Sequence, residues 1–584
     1  MQVTLAINGY DDGASTGEVR RFLGDSLGPS DFRKNASRLA IELGTCDTGL
    51  IAQLDARLPD GTTAEQARAA LTIAWEAAPA LRPALEAFLG ALASSGRSFD
   101  FNDCSVGNLV FAGTFLLCDR QFNAAVDAYC ALLGLPPGMV EDVTDGTNAF
   151  LVAVAADGTV LGSEEAIVDA TRRNRITDIF LIDRALTAAE DRELTSAGAA
   201  AAARVFAERQ VAVRINPRLV ERLRDADLIV YAPGTQHSSL FPSYLTPGLT
   251  DVIASNLKAV KLLVTNIQSD AEIAGASAVD IIERALYYLR EKGSRPIPAP
   301  CLITHYIVND PEQTESSSPY VPLGQIEALE DPRVVRIANY ESGVSGRHDA
   351  GRILGPFIQS LLAPSTTQRV GVLLHHAPSA QAAAEITRRA TADAGQLTAD
   401  VHVYDDENDL RVALSAGQLD YVVLFEASGA YRSEDIATLL SHLTTGRLDA
   451  VWGSRRFWAR QIRESIRARY QRNVPLRVVS HFGSHVLSLT CLALYGRYVS
   501  DTLSGVLAVR AADAAAIGVP LTDPRANQHL LARLLGRKAD ILEIPVQFSA
   551  ARDGERRVTL GGGLKALGVL VAGNPRRSDP VASR

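Results

Sequence analysis

The feature that most restricts this fold is the alternation of short apolar, β-branched runs with helical stretches along the whole sequence. Strands separated by helices are joined by crossovers, and crossovers build mainly parallel sheets covered on both faces. In the first part the strand-like runs are Val3–Ile7, Phe150–Ala155, Asp178–Ile182, Leu228–Ala232, Val260–Thr265 and Cys301–Val308. An alanine-rich stretch, Thr62–Ala93, predicts a helical insertion opened by a capping box of Thr62 and Glu65. The polar piece Pro364–Gln368 marks a boundary. Beyond it a second series predicts strands at Val370–Leu374, Val401–Tyr404, Tyr421–Phe425, Ala450–Gly453 and Ile541–Val546. At 584 residues the chain is too long for one core. The expected organisation is α/β throughout: a Rossmann-like parallel-sheet domain with a helical insertion over residues 1–364, a second α/β domain over 369–572, and a disordered tail over 573–584.

Composition narrows the function classes. A net charge of −9 carries no concentrated basic surface of the kind that nucleic acid demands. The local exception is Arg455–Arg477, with eight arginines; it is either a solvated helix face or a contact for a membrane surface or lipid phosphate. Six scattered cysteines with no C-x-x-C pair predict neither a zinc site nor a disulfide framework. The first residues lack the pattern of a signal peptide, and no run reaches the roughly 18–20 apolar residues of a membrane span. A cytoplasmic homo-oligomer is expected, with no flavin or nicotinamide motif.

The chemistry concentrates in loops. Asp11-Asp12-Gly13-Ala14-Ser15-Thr16-Gly17 follows the strand Val3–Ile7. Paired carboxylates at a strand's end suit a hard cation such as Mg²⁺, and the following amides and hydroxyls suit phosphate oxygens; the same residues also suit a tight, capped turn. Asp31 and Asn35 lie together in a Gly-Pro-Ser-Asp stretch with two cations, Arg33 and Lys34. Ser105, Gly107 and Asn108 precede an apolar helix whose amino terminus is a candidate anion site. Gly234, Thr235 and His237 follow the strand Leu228–Ala232, and Asn266 ends the next one.

These blocks, in this order over roughly residues 1–362, resemble the 2-phospho-L-lactate transferase family and its relatives, the gluconeogenesis-factor-like proteins. The residues that carry the resemblance are Asp11-Asp12-Gly13, Asp31, Ser105/Gly107/Asn108, Pro233-Gly234, Asn266 and the late pair His348-Asp349. The resemblance implies transfer of a phosphate-linked moiety, onto a deazaflavin hydroxyl in the transferase branch, or binding of a UDP-sugar in the other. It implies that Asp11 and Asp12 are catalytic and hold Mg²⁺ or orient the acceptor hydroxyl. Gly13, Ser15, Asp31, Asn35, Ser105, Gly107, Asn108, Gly234, Thr235 and Asn266 would bind a small phosphorylated or nucleotide-linked ligand. Two departures stand out. The family's Gly-Gly-Thr-Gly-type loop lies upstream of the aspartate pair, but this sequence begins ten residues before Asp11, so the start lies upstream of Met1 or the loop is lost. Thr235-Gln236-His237 also departs from the usual pattern.

From Arg369 onward the sequence resembles family 2 glycosyltransferases of the GT-A fold, especially the polyprenyl-phosphate sugar synthases. The resemblance rests on Tyr421–Arg432, Asp435, Gly453-Ser454-Arg455, Val499–Gly505 and Glu543–Val546 ahead of Arg552-Asp553-Gly554. It implies Glu426, Arg455, Asp501, Ser504 and Arg552 as site residues. Where that family has a metal-binding Asp-x-Asp, this chain reads Glu426-Ala427-Ser428, a weakened ligand set.

Overall fold

The computed structural model describes residues 2–169, 174–311, 319–330, 335–343, 346–362, 368–377, 379–394, 399–446, 448–457, 474–549 and 560–573. Both halves are α/β. Strand β1 (Leu5–Ile7) pairs in parallel with β2 (Val140–Asp142), setting Ile7 opposite Asp142. Between them run α1 (Ala14–Leu23), α2 (Ser30–Leu43), α3 (Ala64–Ala77), α4 (Arg82–Ser95) and α5 (Val106–Leu117). The helical insertion is thus present, but as two helices broken at Pro79, whose ring and missing N–H interrupt the ladder. Its capping box forms one residue later than predicted: Thr63 Oγ1 accepts from the Gln66 amide at 3.3 Å, and Gln66 Oε1 accepts from the Thr63 amide at 2.9 Å. Helix α4 meets α5 backbone to backbone, since a Cβ on Gly113 would stand 1.7 Å from Ala84 O.

Strands β3 (Phe150–Ala155), β4 (Val160–Leu161) and β5 (Ile176–Ile182) form a separate antiparallel sheet. The sequence reading put Phe150–Ala155 and Asp178–Ile182 in the parallel set. The Asp157-Gly158 turn, where Gly158 takes φ 91°, makes β4 antiparallel to β3, since a tight hairpin can join only antiparallel neighbours; β5 runs antiparallel along the other side of β3. Helix α6 (Glu164–Val168) follows. The parallel sheet of this half contains β6 (Leu228–Tyr231), β7 (Val260–Val264), β8 (His305–Asn309) and β9 (Val335–Ala338), in that spatial order. Strand β8 starts later than expected because Ala299–Leu302 closes a helical turn ahead of it.

After α7 (Ala350–Leu362), the second half builds a six-stranded sheet from β10 (Gln368–His375), β11 (Ala399–Tyr404), β12 (Tyr421–Glu426), β13 (Ala450–Ser454), β14 (Val506–Arg510) and β15 (Ile541–Pro545). The order is β11-β10-β12-β14-β13-β15, with β14 antiparallel to both neighbours. Sequence reading had not proposed β14. The helices used below are α8 (Glu434–Thr445), α9 (Val474–Tyr495), α10 (Ala526–Gly536) and α11 (Leu560–Ala572). Most of the expected boundary and tail, residues 363–367 and 574–584, lies outside the described residues. The six cysteines are free thiols. Among the described residues no helix is long and apolar enough to cross a membrane.

The halves are joined by a buried seam. Ile303 and Tyr306 share one apolar cluster with Ile436, Leu440 and Leu443 of α8. Polar contacts cross it: the His305 ring Nε2 meets Gly446 O at 3.0 Å, His442 Nε2 meets Leu257 O, and Arg336 pairs with Asp540.

Candidate active site

Strand β1 ends at Asn8, whose buried side chain ties two loops together. Its Oδ1 accepts from the Tyr10 amide at 3.3 Å, and its Nδ2 donates to Ser243 Oγ at 2.8 Å and to Ser239 O at 2.5 Å, beyond β6. The aspartate-pair loop then turns against two glycines. A Cβ on Gly28 would stand 2.1 Å from Asp11 O, and one on Gly17 would stand 2.2 Å from Asp12 O, so neither position accommodates a side chain. Arg20 of α1 locks the loop from below. Its guanidinium donates to Tyr10 O (3.1 Å), Asp11 O (3.2 Å), Asn148 Oδ1 (2.9 Å) and Ala149 O (2.5 Å), and lies over the Phe150 ring. Replacing Arg20 with Met should cost about 3 kcal/mol, because several buried acceptors lose their donor at once. Urea unfolding measures this, and a loss below about 1 kcal/mol would show that water reaches the loop.

Carboxylates gather above this platform. Asp11 Oδ1 accepts from the Gly13 amide at 2.9 Å, and Asp12 Oδ1 accepts from the Glu164 amide at 2.8 Å, fastening the start of α6. The Glu164 side chain bends back over the loop, with Oε2 3.0 Å from where a Gly13 Cβ would be. Burial, then the charges of Asp11, Asp12, Glu272 and Asp31, push its carboxyl up to about 8. Burial also raises Asp12 against the pull of Arg20, and raises Asp31, to which Asp11 adds. Asp11 and Asp12 each keep Oδ2 out of these bonds. Among the described residues no group of three His, Cys, Asp or Glu side chains is placed to hold a metal ion by itself.

The facing loop follows β6. Asn266 at the end of β7 donates to Gly234 O at 3.0 Å and accepts from Gln236 Nε2 at 2.6 Å, while Thr235 Oγ1 pairs with Ser239 Oγ at 2.8 Å. His348, of the late His-Asp pair, reaches the same strand end, its Nε2 2.9 Å from Thr265 O. Asp349 instead accepts from the Arg352 amide at 3.0 Å, at the start of α7. Within the loop, the amides of His237 (2.5 Å) and Ser238 (3.1 Å) and the Ser238 hydroxyl (2.6 Å) all donate to the buried Glu272 carboxylate. Burial raises Glu272 and these three donors lower it. His237 itself is buried, packed edge-on against Phe241 and Tyr288.

Several residues expected to touch ligand also bond within the chain. Asn108 donates to Ser15 Oγ at 3.0 Å and accepts from Arg33 Nε at 2.9 Å, with all three side chains buried. The amino terminus of α5 is not an open anion site, since Val106 N–H donates to Ala56 O at 2.9 Å and Ser105 Oγ donates to Leu54 O at 3.3 Å. Gly107 makes room for the Arg33 side chain, whose Cδ would lie 2.4 Å from a Cβ there. Asn35 donates back to Asp31 O at 2.8 Å. Sequence reading missed Arg20, Glu164 and Glu272. Arg20 lies just past the motif, and Ser163-Glu164-Glu165 carries the Ser-plus-acid signature of a helix start near an acidic site.

In the second half, Glu426 is buried, accepts from Ser428 Oγ at 3.0 Å, and presses on Gly505, where a Cβ would lie 2.4 Å from its Oε2. Arg455 and Asp501, expected to meet ligand, neutralise each other instead: Nε and a terminal nitrogen of Arg455 donate to the two carboxylate oxygens at 2.6 and 2.8 Å. Ser504 Oγ accepts from the Val506 amide at 3.2 Å. Arg552 lies outside the described residues.

These features define an α/β protein whose polar functional loops gather at strand ends. Residues 1–320, more than half of the chain, match the family of 2-phospho-L-lactate transferase CofD, and the chain belongs to that family. Its first 320 residues therefore carry a transferase-family fold. A putative gluconeogenesis factor of Aquifex aeolicus (strain VF5) is 25% identical over 154 residues, 25% of this chain and 44% of that relative, so the match spans less than half of the relative's length. The solved structure of BH3568 from Bacillus halodurans aligns at 18% identity and TM-score 0.42, covering 60% of this chain and 90% of that one. Glucosyl-3-phosphoglycerate synthase from Mycobacterium tuberculosis, solved with Mn²⁺, UDP-glucose and glycerol 3-phosphate, aligns at 14% identity and TM-score 0.24, covering 40% and 87% respectively.

Proposed function

We propose that the first half transfers a phosphate-linked group between small molecules, in the manner its family name describes, with Asp11 and Asp12 at the reacting centre. The observation that carries this reading is the gathering of Asp11, Asp12, Asp31 and Glu272 around Glu164, whose carboxyl is pushed up to about 8 by burial first and then by those charges. A phosphate-bearing ligand would be repelled there unless a cation or proton offset the charge. Mg²⁺ fits the donor set: two hard carboxylates supply part of its shell and phosphate oxygens and water supply the rest, the usual pattern for this ion. When bound it would neutralise phosphate charge during transfer. The chain's own groups do the remainder. Arg20 fixes the loop, Asp11 and Asp12 orient an acceptor hydroxyl, and Glu164 is poised near neutrality to hold or release its proton.

The test is Asp11→Asn and Asp12→Asn, assayed for transfer between a phosphorylated donor and a hydroxyl acceptor. Turnover should fall by about 10²-fold or more with little change in melting temperature; unchanged turnover overturns the reading. A second reading is a UDP-sugar-binding regulatory protein, in line with the relative described as a putative gluconeogenesis factor. It expects UDP-sugars to raise the melting temperature with no product formed. A glycosyl transfer in the second half would need divalent metal through Glu426, and metal-independent activity would count against it.

A further inference from the structure

We propose that a cleft in the second half binds a small molecule carrying two or more linked phosphates, at a site separate from the chemistry of the first half. The cleft measures about 710 Å³ and lies between α10, α11 and residues 516–518. Small-molecule sites usually measure about 300–1,000 Å³. Its walls follow from the packing of the two helices. Leu530, Leu531, Leu534 and Leu535 of α10 are buried in one apolar cluster with Ala566 and Leu570 of α11. Tyr495 of α9 donates to Leu570 O at 2.7 Å and ties α11 to α9. At one end the chain after α11 comes close to α10, since a Cβ on Gly573 would stand 2.7 Å from the Ala532 Cβ. Elsewhere the lining includes Gly536, Gly568 and Ala572, whose small size leaves the space open.

The polar lining is basic. Arg525, His529 and Arg533 stand four residues apart, so they form one row from the amino terminus of α10, about 12 Å long at 1.5 Å per residue. Lys565 joins them from α11, and among the described residues no Asp or Glu lines the cleft. Carboxylates outside the lining hold the two arginines in place. Asp523 accepts from Nε and a terminal nitrogen of Arg525 at 2.9 Å each, and Asp513 accepts from Nε of Arg533 at 3.1 Å. Each guanidinium has further terminal N–H groups beyond these bonds. His529 and Lys565 have no carboxylate partner among the described residues. Burial, then the Arg525 charge, holds the His529 imidazole below its usual range, as expected of basic groups gathered together. Cations in a concave site attract an anion more strongly than the same cations spread over an open surface. One phosphate would engage only part of the row, whereas linked phosphates engage its length, and guanidinium forks suit their oxygens. Ile517 and Val569 line the same space and suit an apolar ring attached to the phosphates. A nucleotide and an inorganic polyphosphate both present this chemistry.

The test is calorimetric titration of the full-length chain with inorganic tripolyphosphate and with ATP. EDTA is present, so that no divalent cation bridges either probe to the carboxylates of the first half. At least one probe should bind, and more weakly as salt is raised. Tighter binding of ATP assigns the cleft to a nucleotide; equal or tighter binding of tripolyphosphate assigns it to the phosphate chain alone. His529→Ala with Lys565→Ala should weaken the affinity about tenfold. Gly568→Leu should weaken it at least as much by filling the cleft. A Cβ at Gly568 meets nothing within 4 Å, and leucine favours a helix more than glycine does, so the melting temperature should not fall. Failure of both probes to bind overturns the proposal, as does unchanged affinity in either variant.

Discussion

Arg455→Met should destabilise the second half by about 3–5 kcal/mol, the usual cost of leaving one member of a buried ion pair alone. Asp501 is 1% exposed and Arg455 5%, so water cannot replace the lost partner. The pair is well formed: besides its two side-chain bonds, Arg455 donates its own amide to Asp501 Oδ2 at 3.1 Å and a terminal N–H to Leu503 O at 3.0 Å. The Phe548 ring lies 5.2 Å from the guanidinium carbon. Burial alone would raise the Asp501 carboxyl, but the Arg455 charge outweighs it and holds the group at about 2. Removing both charges together, as Arg455→Met with Asp501→Leu, should recover most of the loss, because the desolvation cost disappears with the attraction. Urea unfolding of both singles and the double gives the coupling. If Arg455 instead served a phosphate, Arg455→Met would weaken ligand binding and leave stability nearly unchanged.

The second large effect is on acidification. His305 and His442 sit in the seam between the halves, both buried. Burial, then nearby Arg336, pushes His305 down to about 3; burial, then Lys261, pushes His442 down to about 4. Both are therefore neutral in the folded chain at pH 5, while unfolded histidines near 6.5 are protonated. The unfolded state binds more protons between those limits, so stability is complete above about pH 6.5 and falls as pH drops toward 3–4. Each histidine contributes a slope of at most about 1.4 kcal/mol per pH unit inside the window. Melting followed from pH 7.5 to 4.5 should show this decline, and His305→Gln with His442→Gln should flatten it. An equally steep decline in the double variant would place the acid sensitivity elsewhere.

Legibility in the sequence followed a physical divide. Strands such as Phe150–Ala155 and Tyr421–Phe425 were readable because their apolar runs are local and bounded by turn residues. Pairing was less so: the parallel assignment of Phe150–Ala155 overlooked the Asp157-Gly158 turn, which was present to be read. Strand β14 escaped because five residues flanked by Gly505 and a helix carry too little periodicity. In the candidate site, Asp11, Asp12, Gly234 and Asn266 announce themselves by type and by position at strand ends. Asn108 and Ser105 do so equally well, yet their side chains bond to Arg33, Ser15 and Leu54, and composition cannot tell whether a polar group has already found a partner.

By itself the sequence determined the α/β class, the two series of strands and the family signature around Asp11-Asp12-Gly13, because these depend on local pattern and residue type. Only the tertiary structure decided which charges meet. Glu272 lies against the loop after β6, Glu164 folds over Gly13, Arg20 holds the aspartate loop, and Arg455 cancels Asp501. Each joins residues dozens of positions apart or sets the fate of a charge through burial, and neither long-range distance nor dielectric surroundings are written in a local run of residues.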